Sequence, residues 1–438
     1  MKAQFYDLAA RLEKELARGE ALLCNLSAER SDFVRFNKAL VRQAGSVAQS
    51  YLSLRLARER RQAAASIALA GNDDDFALAR STLARLRETL RGLPEDPWLL
   101  VNEAPQSDEA ERRGTLAPAP EVVEQAMSAS RGRDLVGFYA GGTIYRGFAN
   151  SFGQRNWHEV DSFNFDWSFY RQADQAVKTS YAGFDWDAAA LMQKMAQAGE
   201  RLELLGLARR TLEPGEYRVY LAPAALNDVV GLLGWGGFSA RARETKQSPL
   251  LRMQESATLS PRITLEENTG EGIAPAFQAE GFVRPPRVSL IDGGKLGDAL
   301  VSPRSAKEYG LATNGANGGE APESLDLAAG DLAERDALAA LDTGLYISNL
   351  WYLNFSDRPA GRITGMTRFA TFWVEDGKIV APVTPLRFDE SIYRLLGEAL
   401  VDLTREREFL PDPGTYGERQ TSSARLPGAL VSALRFTL

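Results

Sequence analysis

The chain has 438 residues, of which 44% are hydrophobic and 25% are charged. These fractions are typical of a globular protein, and they exclude a disordered chain, a collagen and a small disulfide scaffold. At ~150 residues per domain, the length predicts about three domains or two large ones. The 51 basic and 58 acidic residues give a net charge of −7. Nucleic-acid-binding proteins usually show a basic excess, so we expect no nucleic-acid partner.

The chain contains one cysteine, Cys24, and one histidine, His158. A single cysteine cannot form an internal disulfide, which suits a reducing compartment. A single histidine excludes most metal sites and most histidine-activated nucleophiles. Chemistry by this chain alone would therefore use carboxylates, lysines, tyrosines or a bound cofactor.

The N-terminal segment is charged and amphipathic, unlike the apolar core of a signal peptide. No apolar run approaches the ~20 residues that a membrane-spanning helix needs. We therefore expect a cytoplasmic protein with no membrane contact.

The first 130 residues predict two helices and two strands. Phe5, Leu8, Leu12 and Leu16 recur at helical spacing, which predicts an N-terminal helix. The pattern of residues 33–56 predicts two strands that turn near Ala44 and Gly45, with Leu52, Leu54 and Leu56 on one face. A second helix is expected after the Asn-Asp-Asp-Asp run at 72–75, ending near Gly92. Residues 104–120 are expected to form a mobile connection.

Residues 134–187 are aromatic and strand-like. Phe163, Phe165, Trp167 and Phe169 occupy alternate positions, as one buried strand face requires. A helix is expected at about 187–207. The turn at 213–216 is the expected main boundary, giving an N-terminal domain at 1–214 and a C-terminal domain at 215–438.

The second half predicts mostly strands and loops. The expected elements are a strand at 217–221, a helix near 223–233, a Gly/Pro/Asn-rich region to about 325, a loop at 310–335, strands at 345–355, 366–375 and 378–386, a helix near 389–404 and a strand at 430–437. Mixed elements without strict βαβ alternation predict an α+β fold. Its N-terminal domain would be mixed α/β, and its C-terminal domain would be rich in largely antiparallel strands.

Several residues could carry chemistry, but each has a simpler structural interpretation. His158 next to Glu159 could act as a general base, although neighbouring strand residues point to opposite faces. Cys24 is interpreted as a buried apolar residue. The glycine clusters at 234–237 and 293–297 are interpreted as turns, and the aromatic run 346–355 as a packed strand or a ligand platform. A carboxylate pair could serve a glycosidase-type reaction; the candidates are Asp161, Asp166, Asp185, Asp187, Glu266, Glu267 and Asp292.

An ordered set of motifs resembles the TldD/PmbA family. Six runs of the chain match the family's motifs, which include a glycine-led strand, an E-x-G-K-I strand and a P-V strand. These runs are Thr343–Tyr346, Gly361–Phe369, Trp373–Val383, Pro427–Val431, Arg35-Phe36 and Asn150–Gly153. The resemblance implies a two-domain cytoplasmic protein that forms a dimer. It also implies a relationship to the TldD members, which are zinc peptidases acting on unfolded peptides and peptide precursors.

The family's zinc peptidases bind zinc through a helical H-E-x-x-x-H motif and a cysteine near the C-terminus. In the best alignment, the two histidine positions fall on Asn227 and Leu232, and the glutamate position falls on Asp228. The region that would supply the cysteine aligns with 414–418, which contains none. An amide is a poor zinc ligand and leucine offers no lone pair. The resemblance therefore implies no metal, no cofactor and no catalytic residue at this degenerate site.

This pattern is similar to the TldE (PmbA) branch, in which the fold persists without the metal. The leading hypothesis is a non-catalytic subunit that pairs with a TldD-type zinc peptidase and helps to bind an extended peptide. We expect the C-terminal domain to form most of the contact, with the region from Asn227 to Leu232 facing the partner's metal chamber. The alternatives are a self-sufficient carboxylate-dependent hydrolase, possibly a homodimer, in which Asp228 would be the base, and a scaffold or regulator without peptidase activity.

Overall fold

The structure is a computed structural model and describes residues 1–437. Up to residue 204 the elements are α1 (Lys2–Glu13), β1 (Ala21–Asn37), β2 (Leu40–Arg58), β3 (Arg61–Ala68), α2 (Asp74–Arg91), β4 (Glu109–Arg112), α3 (Ala119–Ala129), β5 (Asp134–Asn150), β6 (Arg155–Gln172), β7 (Gln175–Gly183) and α4 (Ala188–Leu204).

The rest of the chain contains short helices and many strands. They are β8 (Gly215–Leu221), α5 (Pro223–Leu233), α6 (Ala240–Glu244), α7 (Leu251–Gln254), β9 (Leu265–Asn268), β10 (Arg287–Asp292), β11 (Lys295–Leu296), α8 (Pro303–Tyr309), β12 (Ser324–Leu327), a 3-10 turn (Glu334–Asp336), α9 (Ala337–Leu341), β13 (Gly344–Asp357), β14 (Arg362–Glu375), β15 (Lys378–Pro382), β16 (Arg387–Ser391), a π-helical turn (Arg394–Glu398), β17 (Leu400–Pro411) and β18 (Ser423–Phe436).

The strands form two separate sheets, which confirms the α+β, two-domain prediction. The N-terminal sheet has the order β3-β2-β1-β5-β6-β4, with β7 also pairing with β6. In the C-terminal sheet, β8 pairs with both β13 and β18, so β8, β13, β14, β16 and β18 close into a ring. Ring closure leaves these strands few free edges. Because the two sheets share no strand, we propose the domain boundary at 214/215, between α4 and β8.

The cores follow the apolar patterns that the sequence displays. On β6, the alternating side chains Phe163, Phe165, Trp167 and Phe169 are all buried. They pack under α4, whose first turn is capped because the Asp187 carboxylate accepts hydrogen bonds from two backbone N–H groups. The predicted strand face and the predicted helix at 187–207 are therefore confirmed.

The predictions for the first hairpin and for residues 104–120 need correction. The β1–β2 turn lies at Lys38 and Ala39, both with positive φ, rather than at Ala44 and Gly45. Lys-Ala lacks the usual Asn-Gly signal of such a turn, so the sequence could not mark it. Gly45 instead pairs with Phe33 inside β2. The stretch 104–120 contains β4, which pairs in parallel with β6.

Two later predictions are also corrected. The expected loop at 310–335 contains β12, which pairs with β9 and β18. The expected helix at 389–404 is replaced by β16, a π-helical turn and β17. Gly397 has non-helical backbone angles (φ −110°, ψ −113°), and β17 pairs with β18. Long-range pairing thus overrides an apolar spacing that favoured a helix.

Within residues 1–437, no helix is both long enough and apolar enough to cross a membrane.

Candidate functional site

A cavity of about 450 Å³ lies between the N-terminal and C-terminal sheets. Its walls come from β6, β7 and α4 on one side, and from β8, α5, β13 and β17 on the other. Pockets between domains are the usual place for a ligand, and this volume lies in the common range of about 300–1,000 Å³. The cavity contains the part of α5 that the family alignment singled out.

One face of α5 borders the cavity, and the opposite face is core. Pro223 begins the helix, where its missing N–H costs nothing. Asn227 and Asp228 line the cavity, whereas Leu232 is buried in the C-terminal core. Residues at i and i+4 share a helix face, whereas those at i and i+5 diverge. The residue that follows Asn227 on its own face is therefore Gly231, which is partly exposed and where an added Cβ would meet no atom within 4 Å outside its own helix turn.

Asp228 is a partly buried carboxyl group that forms no ion pair within residues 1–437. Its Oδ2 accepts one hydrogen bond, from the backbone N–H of Leu350 at 3.3 Å. Burial raises the pKa of Asp228 to about 6, although the Leu350 N–H and the charge of Lys178 act in the opposite direction. The carboxyl group can therefore exchange a proton near neutral pH.

The neighbouring charged groups are largely paired with one another. The Lys178 ammonium lies 3.2 Å from the Asp166 carboxylate, and the Lys194 ammonium lies 3.0 Å from the Glu408 carboxylate. Burial and the nearby Glu408 charge raise the pKa of Glu334. These contacts occupy the lysines, and they leave Asp228 without a close cation.

Aromatic rings form the wall and mouth of the cavity. Tyr220 and Tyr346 stack with ring centroids 5.7 Å apart. Trp351 and Phe369 also line the cavity, and 46% of Trp351 is exposed. The run 346–355 is thus a packed strand in its first part and lines the cavity at Trp351.

A second cavity of about 330 Å³ adjoins the first and shares Asp166 and Lys178 with it. It is bordered by Gly414 and Thr415, in the loop between β17 and β18. This loop is the region where the family's zinc peptidases carry their cysteine. The fold thus places both degenerate stretches along one trough, although about 190 residues separate them in the sequence.

The residues at these positions do not fit a zinc ion. On the cavity face of α5 they offer an amide, a single carboxyl group and a glycine, and the aligned Leu232 is a buried hydrocarbon. Zinc in proteins is held by three or four nitrogen, sulfur or carboxylate donors. Across residues 1–437, no three His, Cys, Asp or Glu side chains converge as a ligand set.

The other candidates from the sequence lie elsewhere. His158 is buried in the interior of β6, where its Nε2–H donates to the carbonyl of Ile273 at 2.9 Å, and burial lowers its pKa to about 4. Glu159 accepts a hydrogen bond from Arg113 at 2.6 Å instead of contacting the histidine. Burial raises the pKa of the Cys24 thiol to about 12. All three are interpreted as structural.

Of the carboxylates named from the sequence, only Asp166 joins Asp228 at the cavity. Lys178, Arg201, Glu334 and Glu408 also line it, and the sequence analysis missed them. They come from β7, α4, the 3-10 turn and β17, so no local motif unites them. The sequence offered no signal for them, since α4, the 3-10 turn and β17 each contain several charged residues.

The protein-family model described as the PmbA/TldA metallopeptidase C-terminal domain matches residues 214–438 of this sequence. A comparison with curated proteins finds no match.

Solved structures are similar over the whole chain. TldE from Thermococcus kodakarensis has a TM-score of 0.80 at 14% identity, covering 99% of this chain and 100% of that one. A proposed modulator of a DNA gyrase from Thermotoga maritima has a TM-score of 0.78 at 15% identity, covering 100% of both chains. A proposed gyrase modulator from Bacteroides thetaiotaomicron has a TM-score of 0.76 at 17% identity, covering 100% and 98%. These structures share the fold.

The family match extends over just over half of the chain and contains α5, the strand ring and the C-terminal loop. The resemblance of the sequence motifs is thereby confirmed. The chain belongs to the TldD/PmbA metallopeptidase family.

Proposed function

We propose that this chain is a TldE/PmbA-like subunit that does not hydrolyse peptides itself. It would pair with a TldD-type zinc peptidase in the cytoplasm to degrade or process unfolded peptides. The observation that supports the proposal is that α5 carries no histidine at the positions that align with the family's zinc ligands. Asn227 and Asp228 border the cavity at the helix where the family's zinc peptidases carry metal ligands, and the aligned Leu232 is buried in the core.

Peptide binding is supported by strands at the edges of both sheets. Within the described residues, β7 pairs with no strand other than β6, and β15 with none other than β14, although the Pro382 carbonyl at the end of β15 accepts a hydrogen bond from the Arg210 N–H at 2.8 Å. Thr179 and Ser180 of β7 and Ile379 of β15 line the cavity. A strand with a free edge can pair with an extended peptide through backbone hydrogen bonds, whatever the peptide's sequence.

The partner contact is proposed for the C-terminal domain, with the trough facing the partner's metal chamber. A fold can retain such a surface after its catalytic groups are lost, because packing and chemistry depend on different side chains.

The test of the proposed function begins with the isolated chain. We expect elemental analysis of the purified protein to find much less than one zinc per chain, and we expect no cleavage of unfolded casein or of short peptides. One tightly bound zinc per chain, or chelator-sensitive cleavage, would overturn the non-catalytic assignment.

The second step is co-expression with the host relative that carries an intact H-E-x-x-x-H helix. We expect a one-to-one complex by size-exclusion chromatography with light scattering, and peptidase activity that requires the partner's glutamate. Two chains that elute separately under all conditions would refute the pairing and would favour a scaffold or regulator.

A carboxylate-dependent hydrolase is the second candidate, because Asp228 borders the cavity and its pKa lies near neutrality. Activity of the isolated chain that resists chelators and disappears in Asp228→Asn would favour this alternative.

A further inference from the structure

The cavity contains one carboxyl group whose charge is not matched by a nearby cation. Asp228 receives only the Leu350 N–H, and the nearest lysine, Lys178, is in contact with Asp166. Ionised groups in partly buried positions are normally paired, because their desolvation is costly. The Asp228 carboxylate, which forms no ion pair within residues 1–437, is therefore available to bind a positively charged group.

The other acidic groups of the cavity do not compete for this position. Glu408 is paired with Lys194. Burial raises the pKa of Glu334, and the positive charge of the nearby Arg201 acts in the opposite direction. The Glu334 end of the cavity thus has Arg201 nearby, whereas Asp228 has only Lys178, which is already paired with Asp166.

The rings near Asp228 provide the second element of a cation site. Trp351 follows Leu350, the residue that donates to Asp228, and its ring is about half exposed. Aromatic faces attract ammonium and guanidinium groups. The guanidinium carbon of Arg368 lies 5.1 Å from the ring centroid of Trp351 and 5.2 Å from that of Phe369, so a ligand cation would compete with Arg368 for both rings.

The backbone at the cavity mouth is held in an unusual conformation. Tyr352 and Phe369 are bulky residues with φ of +58° and +57°, and the β13–β14 register shifts after Trp351. Such conformations cost on the order of 1–3 kcal/mol each and concentrate at ligand sites. The strained residues are Phe369 itself and Tyr352, which follows Trp351, so they lie at the two rings that line the cavity.

We propose that the end of the cavity formed by Asp228, Trp351 and Phe369 binds a cationic group of a peptide, either its terminal ammonium or a lysine or arginine side chain. The inference rests on the proposed function for the identity of the ligand as a peptide. It adds that this subunit selects peptides by charge, independently of any metal centre.

The experiment measures binding of three labelled peptides to the full chain alone by fluorescence anisotropy. All have the same extended sequence and a C-terminal fluorophore. The first has an acetylated N-terminus and one lysine, the second has a free N-terminus and norleucine in place of lysine, and the third has an acetylated N-terminus and norleucine.

We expect the first or the second peptide to bind at least about tenfold more tightly than the third, a difference typical of a desolvated cation contact. The tighter of the two identifies the source of the charge. Asp228→Asn, which preserves shape, should remove the preference, whereas Asp174→Asn in the exposed β6–β7 turn should retain it. Trp351→Ala should weaken cation binding severalfold without disturbing the core, and it provides an independent test should Asp228→Asn not fold.

Equal binding of the three peptides, or a preference that survives in Asp228→Asn and Trp351→Ala, would overturn this inference. Neither result bears on the pairing with a zinc peptidase. Conversely, separate elution of the two subunits would refute the pairing and leave the charge preference intact.

Discussion

Asp228 illustrates how the tertiary structure sets the chemistry of a single residue. The alignment places it where the family has a general base, but the tertiary structure sets its proton affinity. Burial raises its pKa from 3.8 in the unfolded chain to about 6. The folded chain therefore binds this proton more tightly than the unfolded chain, and the free energy of unfolding decreases as the pH rises through that interval.

We expect Asp228→Asn to raise the free energy of unfolding by on the order of 2 kcal/mol at about pH 7.5 and by little at about pH 4, because the amide resembles the protonated acid. Urea unfolding followed by circular dichroism at both pH values measures the effect. Asp174→Asn, at an exposed position, is the matched control. An Asp228→Asn gain of equal size at both pH values would contradict the assigned pKa.

At the scale of one element, α5 shows that an alignment and a helix face can disagree. The sequence frame pairs Asn227 with Leu232, yet only Asn227 borders the cavity, and Leu232 belongs to the core. The 100° turn per residue decides this, since i+4 returns to the same face and i+5 passes beyond it. Gly231 is therefore the next residue on the face of Asn227, whereas the family motif places its second histidine at the position of Leu232.

A metal-binding test follows from this geometry. Asn227→His combined with Gly231→His should create a site for about one zinc per chain, because two imidazoles at i and i+4 share a face and Asp228 adds a carboxylate. Competition with a chromophoric chelator measures the affinity. Asn227→His alone is the control; with one imidazole and one carboxylate it should bind zinc far more weakly. Equal zinc binding by the double variant and the control would show that Gly231 does not share the face of Asn227.

The segment 389–404 shows the opposite situation, in which an apolar pattern favoured a helix and the sheet prevailed. Gly397 interrupts the helical geometry, and Leu400 and Leu403 pair with β18 residues. A strand ladder between distant segments leaves no local signature, so this misassignment could not have been avoided from the sequence.

At the scale of the whole molecule, the loop between β17 and β18 connects the two sheets. Arg419 is 6% exposed, and it donates hydrogen bonds to the carbonyls of Gly142 at 3.0 Å and Ser162 at 2.8 Å on the N-terminal sheet. Next to it, Glu418 lies 3.4 Å from Arg146. Burial lowers the pKa of Arg419 to about 10, which still leaves it charged at neutral pH. The loop that borders the second cavity is thus fixed by the opposite domain.

We expect Arg419→Ala to reduce the free energy of unfolding by about 2–4 kcal/mol, because one buried and one partly buried carbonyl lose their donor. Hydrogen exchange of the loop amides should also become faster, and mass spectrometry of peptic fragments measures it. The control is Arg405→Ala, which removes an exposed arginine that bonds a single carbonyl. Unchanged loop exchange in Arg419→Ala would show that other contacts hold the loop.

The sequence by itself determined the elements whose burial pattern is local. The alternating aromatics of β6 and the apolar face of α1 can both be identified from neighbouring positions. Only the tertiary structure decided which residues share the cavity, which face of α5 borders it and how weakly Asp228 holds its charge. Asp166, Lys178, Asp228 and Glu408 are brought together by the packing of the two sheets. The reason is physical: periodicity records which side of an element is buried, whereas a site depends on distances and desolvation between segments far apart in the chain.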